Sequence, residues 1–73
     1  MASKDPALFD EKLTNFEDCI ITVFYDGKPI GEVTPQVDRK WGWRSTETNV
    51  SESDIETGDM ALTLLKSYYL KKD

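Results

Sequence analysis

A run of six residues, positions 39–44, combines cations with aromatic rings in a way that suits nucleic-acid binding. It holds three of the nine basic residues and both tryptophans of the chain. Indole rings stack on unpaired bases while Lys and Arg pair with phosphates, which is how single strands are bound without sequence preference. A single-stranded nucleic-acid site is therefore one hypothesis, and its residues are Arg39, Lys40, Trp41, Trp43 and Arg44.

Three carboxylates, Asp54, Glu56 and Asp59, lie close enough in sequence to share a cation or to do acid-base chemistry. Their spacing is not that of an EF-hand loop. Acids in the first turns of a helix also stabilise its positive end. We therefore predict a structural role for them, with no metal and no cofactor.

Most catalytic machinery is excluded by composition. The chain has no histidine, so it lacks a Ser-His-Asp or Cys-His arrangement and an imidazole base near neutral pH. Its one cysteine, Cys19, excludes an internal disulfide and begins an apolar strand, where we expect a buried, inert thiol. The four glycines do not form a phosphate-binding loop. The sequence predicts a protein that is not an enzyme.

The charge of the chain favours a protein partner. With 14 acids against 9 bases the net charge is −5, and such a chain repels phosphate backbones on average. Acidic domains associate rapidly with basic protein surfaces through electrostatic steering. Charge, together with the preference of binding hot spots for Tyr and Arg, predicts a protein-binding surface built from Asp10, Glu11, Arg44, Asp54 and Tyr69.

The N-terminal segment has the pattern of a short helix. Asp5-Pro6 resembles an N-cap followed by proline at the first helical position. Phe9, Leu13 and Phe16 then recur at the i, i+4, i+7 spacing of one helical face. These signals predict a helix over about residues 6–16.

Three extended segments follow. Residues 19–25 are β-branched and aromatic and indicate a central strand, and Asp26-Gly27 is a favoured hairpin turn. Residues 28–34 predict a second strand, and Pro29 and Pro35 indicate that it is short or lies at an edge of the sheet. In the third, residues 40–46, Trp41 and Trp43 alternate with Lys40, Gly42 and Arg44, so the indoles face one side and the cations the other.

The last third of the chain predicts a loop and a helix. Residues 46–53 are polar and suggest a loop. Ser53 and Glu56 have capping-box spacing, with Thr57 beside Gly58 as a second possible start. The helix carries an apolar face and ends in cations suited to its C-terminus, its residues being Met60, Ala61, Leu64, Leu65, Tyr68, Lys71 and Lys72.

Together these elements predict a single small α+β domain over residues 1–73. Its order is α-β-β-β-α: a three-stranded antiparallel meander packed against a C-terminal helix, with a short N-terminal helix. A chain of this length needs nearly every large side chain for its core. We therefore expect Trp41 and Trp43 to pack against Ile21, Val23 and the last helix in preference to stacking on bases.

The functional prediction is a small acidic regulator that binds protein. With no signal-peptide pattern and no apolar run of membrane-spanning length, we expect a cytoplasmic protein that does not enter membranes, a monomer or weak dimer. Its partner would be the basic surface of a nucleic-acid-handling enzyme, such as an RNA polymerase or nuclease, which it would inhibit or modulate. Such a regulator is of the sort that a phage or mobile element encodes. The alternatives are the single-stranded nucleic-acid binder and a structural subunit that oligomerises through the last helix.

Overall fold

A computed structural model describes residues 4–71, which form a five-stranded antiparallel sheet and one α-helix. The strands are neighbours in chain order, β1 to β5, and the helix packs over β3, β4 and β5. The α+β class is confirmed. The three-stranded meander is wrong, because one further strand flanks it on each side. The elements are β1 (Phe9–Asn15), β2 (Ile20–Tyr25), β3 (Lys28–Pro35), β4 (Trp41–Ser45), β5 (Ser51–Ile55) and α1 (Gly58–Lys71).

The predicted N-terminal helix is wrong, since most of that segment is strand β1. Asp5 does cap, its Oδ1 accepting a hydrogen bond from the Ala7 N–H at 2.9 Å, but the turn it begins is a 3₁₀ turn of three residues, Pro6–Leu8. The chain then extends and pairs with β2, with Phe9 opposite Tyr25 and Leu13 opposite Ile21.

The predicted loop over residues 46–53 is also partly wrong, because its end belongs to strand β5. Ser51 pairs with Arg44 and Glu52 with Trp43. The predicted Ser53 cap therefore lies inside a strand. The helix begins at Gly58, where the Thr57 Oγ1 accepts a hydrogen bond from the Met60 N–H at 3.1 Å, so the later of the two predicted starts is the one used.

The core lies between α1 and the sheet face that it covers, which we call the helix face. Apolar side chains from β2 to β5 meet the inner side of α1 there, and burial of such area is the main stabilising contribution. Gly31 leaves the room into which Leu65 fits. The buried apolar residues are Val23, Ile30, Val33, Trp43, Ile55, Ala61 and Leu65.

The two tryptophans lie on the helix face, as predicted. Trp43 is 4% exposed, its ring lies 5.4 Å from that of Tyr68, and its indole N–H donates to Glu52 Oε1 at 3.0 Å. Trp41 is half-buried at the margin of the core, where it packs beside Gly58. Arg44 is exposed on the opposite face, which we call the open face.

Candidate protein-binding surface at one end of the sheet

The connections of an antiparallel meander fall alternately at its two ends, and this places three of them together. The β1–β2 turn, the β3–β4 turn and the β5–α1 connection share one end, which we call the acidic end and define as residues 16–19, 36–40 and 53–59. The opposite end holds the β2–β3 and β4–β5 turns, the N-terminal segment and the C-terminus of α1. We call it the neutral end.

The net charge of the molecule is concentrated at the acidic end. Against the two bases Arg39 and Lys40, it carries six acids: Glu17, Asp18, Asp38, Asp54, Glu56 and Asp59. The neutral end carries three acids and three bases: Asp5, Asp26, Glu47, Lys4, Lys28 and Lys71. The strands and helix between them add four acids and three bases, while Lys72 and Asp73, outside the described residues, cancel. Hence −4 of the total −5 lies at one end.

Among residues 4–71, the two most exposed large apolar side chains also lie at the acidic end. Phe16, in the β1–β2 turn, is 80% exposed, and Val37, in the β3–β4 turn, is 82% exposed. Apolar side chains within a polar, solvent-accessible rim are the usual anatomy of a protein interface. Their position beside the carboxylates gives this end both apolar contact area and a strong field.

The backbone at the acidic end is held by specific hydrogen bonds. The Gln36 N–H donates to the Lys40 carbonyl at 2.7 Å, which closes the β3–β4 turn. The Gln36 side chain lies over Gly42 and accepts a hydrogen bond from the Asp54 N–H at 3.3 Å. This contact ties the turn to β5. The helix N-terminus adds about half a positive charge here, which leaves the end strongly negative.

The structure separates the residues predicted to bind protein. Asp10 and Glu11 point to opposite faces of β1, and Glu11 forms an ion pair with Lys66 of α1. Asp54 lies on β5, at the other edge of the sheet, where four strand spacings put it at least about 19 Å away. Only Asp54 of this set belongs to the acidic end.

The other two predicted residues lie elsewhere again. Tyr69 packs on the helix face with Phe9 and Tyr25, at ring centroid distances of 6.1 and 5.1 Å. Arg44 stands on the open face, where its Nη2 donates to Glu32 Oε1 at 3.1 Å. Asp10 and Glu11 are thus part of β1 and Tyr69 packs against it, whereas Arg44 lies on β4.

The residues of the nucleic-acid hypothesis do not share a surface. Trp43 is buried on the helix face and Arg44 is exposed on the open face. Arg39 and Lys40 occupy the β3–β4 turn among the acids of the acidic end. Base stacking by Trp43 would require it to leave the core.

The open face carries a shallow groove of about 510 Å³. Its floor is polar, with the Glu32–Arg44 ion pair in the middle and Thr34, Ser51 and Ser53 around it. Within residues 4–71, every buried side-chain nitrogen and oxygen has a hydrogen-bond partner, and His, Cys, Asp and Glu form no group of three able to hold a metal. The groove offers hydrogen bonds to solvent or to a polar ligand.

Sequence patterns alone do not identify Phe16 and Val37 as surface residues, nor the acids beside them as one cluster. The helical spacing puts Phe16 on a helix face, and Val37 lies in an unremarkable connection. The signal that identifies them is the alternation of strands: once β1 is recognised as a strand, the meander brings both turns to one end.

Comparison with protein families, with curated proteins and with solved structures found no match for this chain. In the described part of the chain, α1 is too short and too polar to cross a bilayer and no other helix is longer.

Proposed function

We propose that this protein is a small, non-enzymatic regulator that binds the basic surface of a larger nucleic-acid-handling enzyme, such as an RNA polymerase or a nuclease. The observation that carries the proposal is that −4 of the net charge of −5 lies at one end of the molecule, together with the two most exposed large apolar side chains of the described part of the chain.

The chemistry of such a partner matches this end. Enzymes that hold nucleic acid line their binding grooves with Lys and Arg, since neutralising phosphates supplies most of their affinity. An acidic surface is attracted to the same groove and associates rapidly at low salt. Phe16 and Val37 would add desolvated contacts, on which the stability of a complex depends more than on rim charges.

The nucleic-acid alternative has less support. Its stacking platform would need both indoles exposed, and Trp43 is 4% exposed. Its cations Arg39 and Lys40 are outnumbered three to one by the acids of the same end. It stays a prediction, and the experiment below includes it as an outcome.

The test measures inhibition of purified enzymes by matched charge variants. Glu17→Gln with Glu56→Gln removes two negative charges at the acidic end, while Thr46→Lys with Asn49→Lys adds two positive charges at the neutral end. Both variants therefore carry the same net charge of −3. The assays are promoter-directed transcription by an RNA polymerase and cleavage by a DNA endonuclease and a ribonuclease, each at low and physiological salt.

We expect the wild type to inhibit at least one of these enzymes, more strongly at low salt. The acidic-end variant should lose about tenfold in potency, equivalent to about 1.4 kcal/mol, whereas the neutral-end variant stays within about threefold. Equal losses in both variants would show that only net charge matters and would reject the acidic end. Failure of the wild type to inhibit any of the three enzymes would count against the proposal itself.

A binding measurement addresses the nucleic-acid alternative directly. Tryptophan emission and iodide quenching are recorded before and after adding single-stranded DNA and RNA oligomers at low salt. Unchanged, protected emission agrees with the proposal. Quenching by the oligomers would transfer the binding role to the tryptophan strand.

A further inference from the structure

Strand β1 lies at an edge of the sheet, and within residues 4–71 no other strand pairs with its outer side. The Leu8 carbonyl accepts a hydrogen bond from the Asp26 N–H at 3.0 Å. Because bonded and non-bonded residues alternate in an antiparallel pair, Asp10 and Lys12 then bond to β2, and the backbone groups of Phe9, Glu11 and Leu13 point away from the sheet. The Glu11 N–H agrees in direction, since it donates to the Asp10 Oδ1 at 2.9 Å and not to β2. The Phe9 N–H donates to the Pro6 carbonyl, so pairing with a second strand exchanges these two local hydrogen bonds for bonds between strands.

The sequence along this edge is self-complementary. In an antiparallel pairing with a second copy centred on Glu11, Phe9 of each copy lies opposite Leu13 of the other. Asp10 likewise lies opposite Lys12. Backbone hydrogen bonds between the two copies can form in this register, because the N–H and C=O groups of residues 9, 11 and 13 point outward in both copies. Apolar side chains meet on the helix face, and opposite charges meet on the open face.

We propose that two copies of this chain pair through β1, antiparallel and centred on Glu11, to form a two-fold dimer with one continuous ten-stranded sheet. This is an isologous contact, in which the same patch serves both copies. It is independent of the proposed function, because it uses the β1 edge and leaves the Val37 turn of each copy uncovered.

Charge selects this register over its neighbours. Moving one copy by two residues in either direction places Asp10 opposite Asp10 or Lys12 opposite Lys12, and like charges directly opposite each other destabilise a strand pair. In the proposed register the only like pair is Glu11 with Glu11. Each Glu11 already has an ion-pair partner in Lys66 of its own α1, so the centre of the contact carries balanced charge.

The exposure of side chains beside β1 agrees with a partner there. Leu13 is 43% exposed although it points to the helix face, because α1 makes most of its contacts with β3 to β5. Phe9 is half-buried against Tyr25 and Tyr69. In the dimer, Leu13 of each copy gains Phe9 of the other copy as an apolar neighbour, in addition to Ile21 of its own chain.

The test is a charge swap read by sedimentation velocity of the full chain, from about 5 µM to about 500 µM, the range in which small interfaces associate. The variants are Asp10→Lys, Lys12→Asp and the double swap, which restores both the complementarity and the net charge of −5. Circular dichroism checks that each variant is folded, since Lys12 also lies over the Phe24 ring.

We expect the wild type to shift with concentration from 8.4 kDa towards twice that mass. Each single reversal should weaken association at least about tenfold, and the double swap should restore it. An equimolar mixture of the two single variants should form a heterodimer, because two lysines at positions 10 and 12 of one copy then face two aspartates at the same positions of the other. Native mass spectrometry resolves this heterodimer from the two parent proteins.

Two results would overturn the dimer. One is a wild type that stays at the monomer mass over the whole range. The other is a dimer that neither single reversal weakens, which would place the contact elsewhere, for example at the exposed Met60 and Leu64 of α1. Neither result bears on inhibition of an enzyme, so this proposal and the proposed function are tested separately.

Discussion

At the scale of single residues, Trp43 shows how a side chain suited to nucleic-acid stacking is used for packing. Its ring is enclosed by β4, β5 and Tyr68 of α1, and its only polar atom is satisfied by Glu52. A small domain has few large side chains to spare. In the linear sequence, Trp43 stands beside a glycine and several cations, and the run therefore resembles a binding motif. In the fold, Arg44 lies on the opposite face of the sheet.

We expect Trp43→Ala to lower the free energy of unfolding by about 3–5 kcal/mol, because it removes buried area and leaves a cavity. That is a large part of the roughly 5–15 kcal/mol typical of a domain. Urea denaturation followed by circular dichroism measures it. Val37→Ala, at an 82% exposed position, is the control and should change stability by no more than about 0.5 kcal/mol. Equal losses would contradict the burial of Trp43.

A second residue-scale expectation concerns Lys28 and Glu47. The Glu47 side chain accepts a hydrogen bond from the Lys28 ammonium at 2.7 Å, and this bond, with the carboxylate charge, raises the pKa of Lys28 above its ordinary 10.5. The folded chain therefore holds this proton more tightly than the unfolded chain. The resulting stability is present below the ordinary pKa and is lost as pH rises through the folded pKa.

Between about pH 10 and 12, the melting temperature should fall more steeply in the wild type than in Glu47→Gln. The pair is exposed, so the difference is small and should shrink at high salt. Thermal melts of both proteins across this range, at two salt concentrations, provide the measurement. Parallel curves for the two proteins would show that the pair does not contribute.

At the scale of elements, the contact between α1 and the sheet depends on Gly31. A methyl group there would lie 2.6 Å from the Arg44 carbonyl oxygen and 2.8 Å from the Leu65 Cδ1. Neither neighbour can move easily, since one is sheet backbone and the other is fully buried. We expect Gly31→Ala to lower the free energy of unfolding by about 1–3 kcal/mol, measured by urea denaturation.

Gly58→Ala is the matched control, because its added methyl group meets only the Trp41 ring at 3.3 Å, at the start of the helix. Its effect should stay below about 1 kcal/mol. A larger loss at position 58 than at position 31 would refute the close approach of helix and sheet at Gly31.

The elements also show how far a single sequence predicts this fold. The central hairpin, the alternation in β4 and the final helix follow from strong local patterns, and all are present. The first element is different, because Phe9 and Leu13 are four residues apart, a spacing that puts them on one side of a helix and of a strand alike. Phe16 is the residue whose spacing favours a helix over a strand, and it lies in the turn that follows β1.

Strand β5 was missed for a different reason. Four of its five residues are exposed, so no apolar alternation marks it. Its register with β4 also shifts between Trp41 and Trp43, and Asp54 takes a positive φ of 60° in the resulting bulge. Pairing with β4, and no apolar pattern of its own, makes this segment a strand. The sequence does not predict the candidate surface either. Its three connections come together only through the order of the strands, and that order includes β1 and β5.

At the scale of the whole molecule, the shape is elongated, with extents of 42 × 21 × 20 Å. The radius of gyration of 11.9 Å slightly exceeds the value of about 11 Å typical of a compact chain of this length. The helix makes most of its contacts with three of the five strands, so part of the β1–β2 hairpin, including Leu13, extends past the core. The long axis and the uneven charge give the molecule two chemically different ends.

Cys19 is exposed in the β1–β2 turn, so its predicted burial at the start of a strand is wrong. Its thiol makes this geometry accessible to distance measurement. It is the only cysteine in the chain and lies at the β1–β2 turn, so a nitroxide spin label attaches at one known site. In a dimer centred on Glu11, the two labels would lie at opposite ends of the joined sheet, about 35–40 Å apart from strand rise and spacing. Pulsed electron paramagnetic resonance would thereby report the register of the two copies without a crystal.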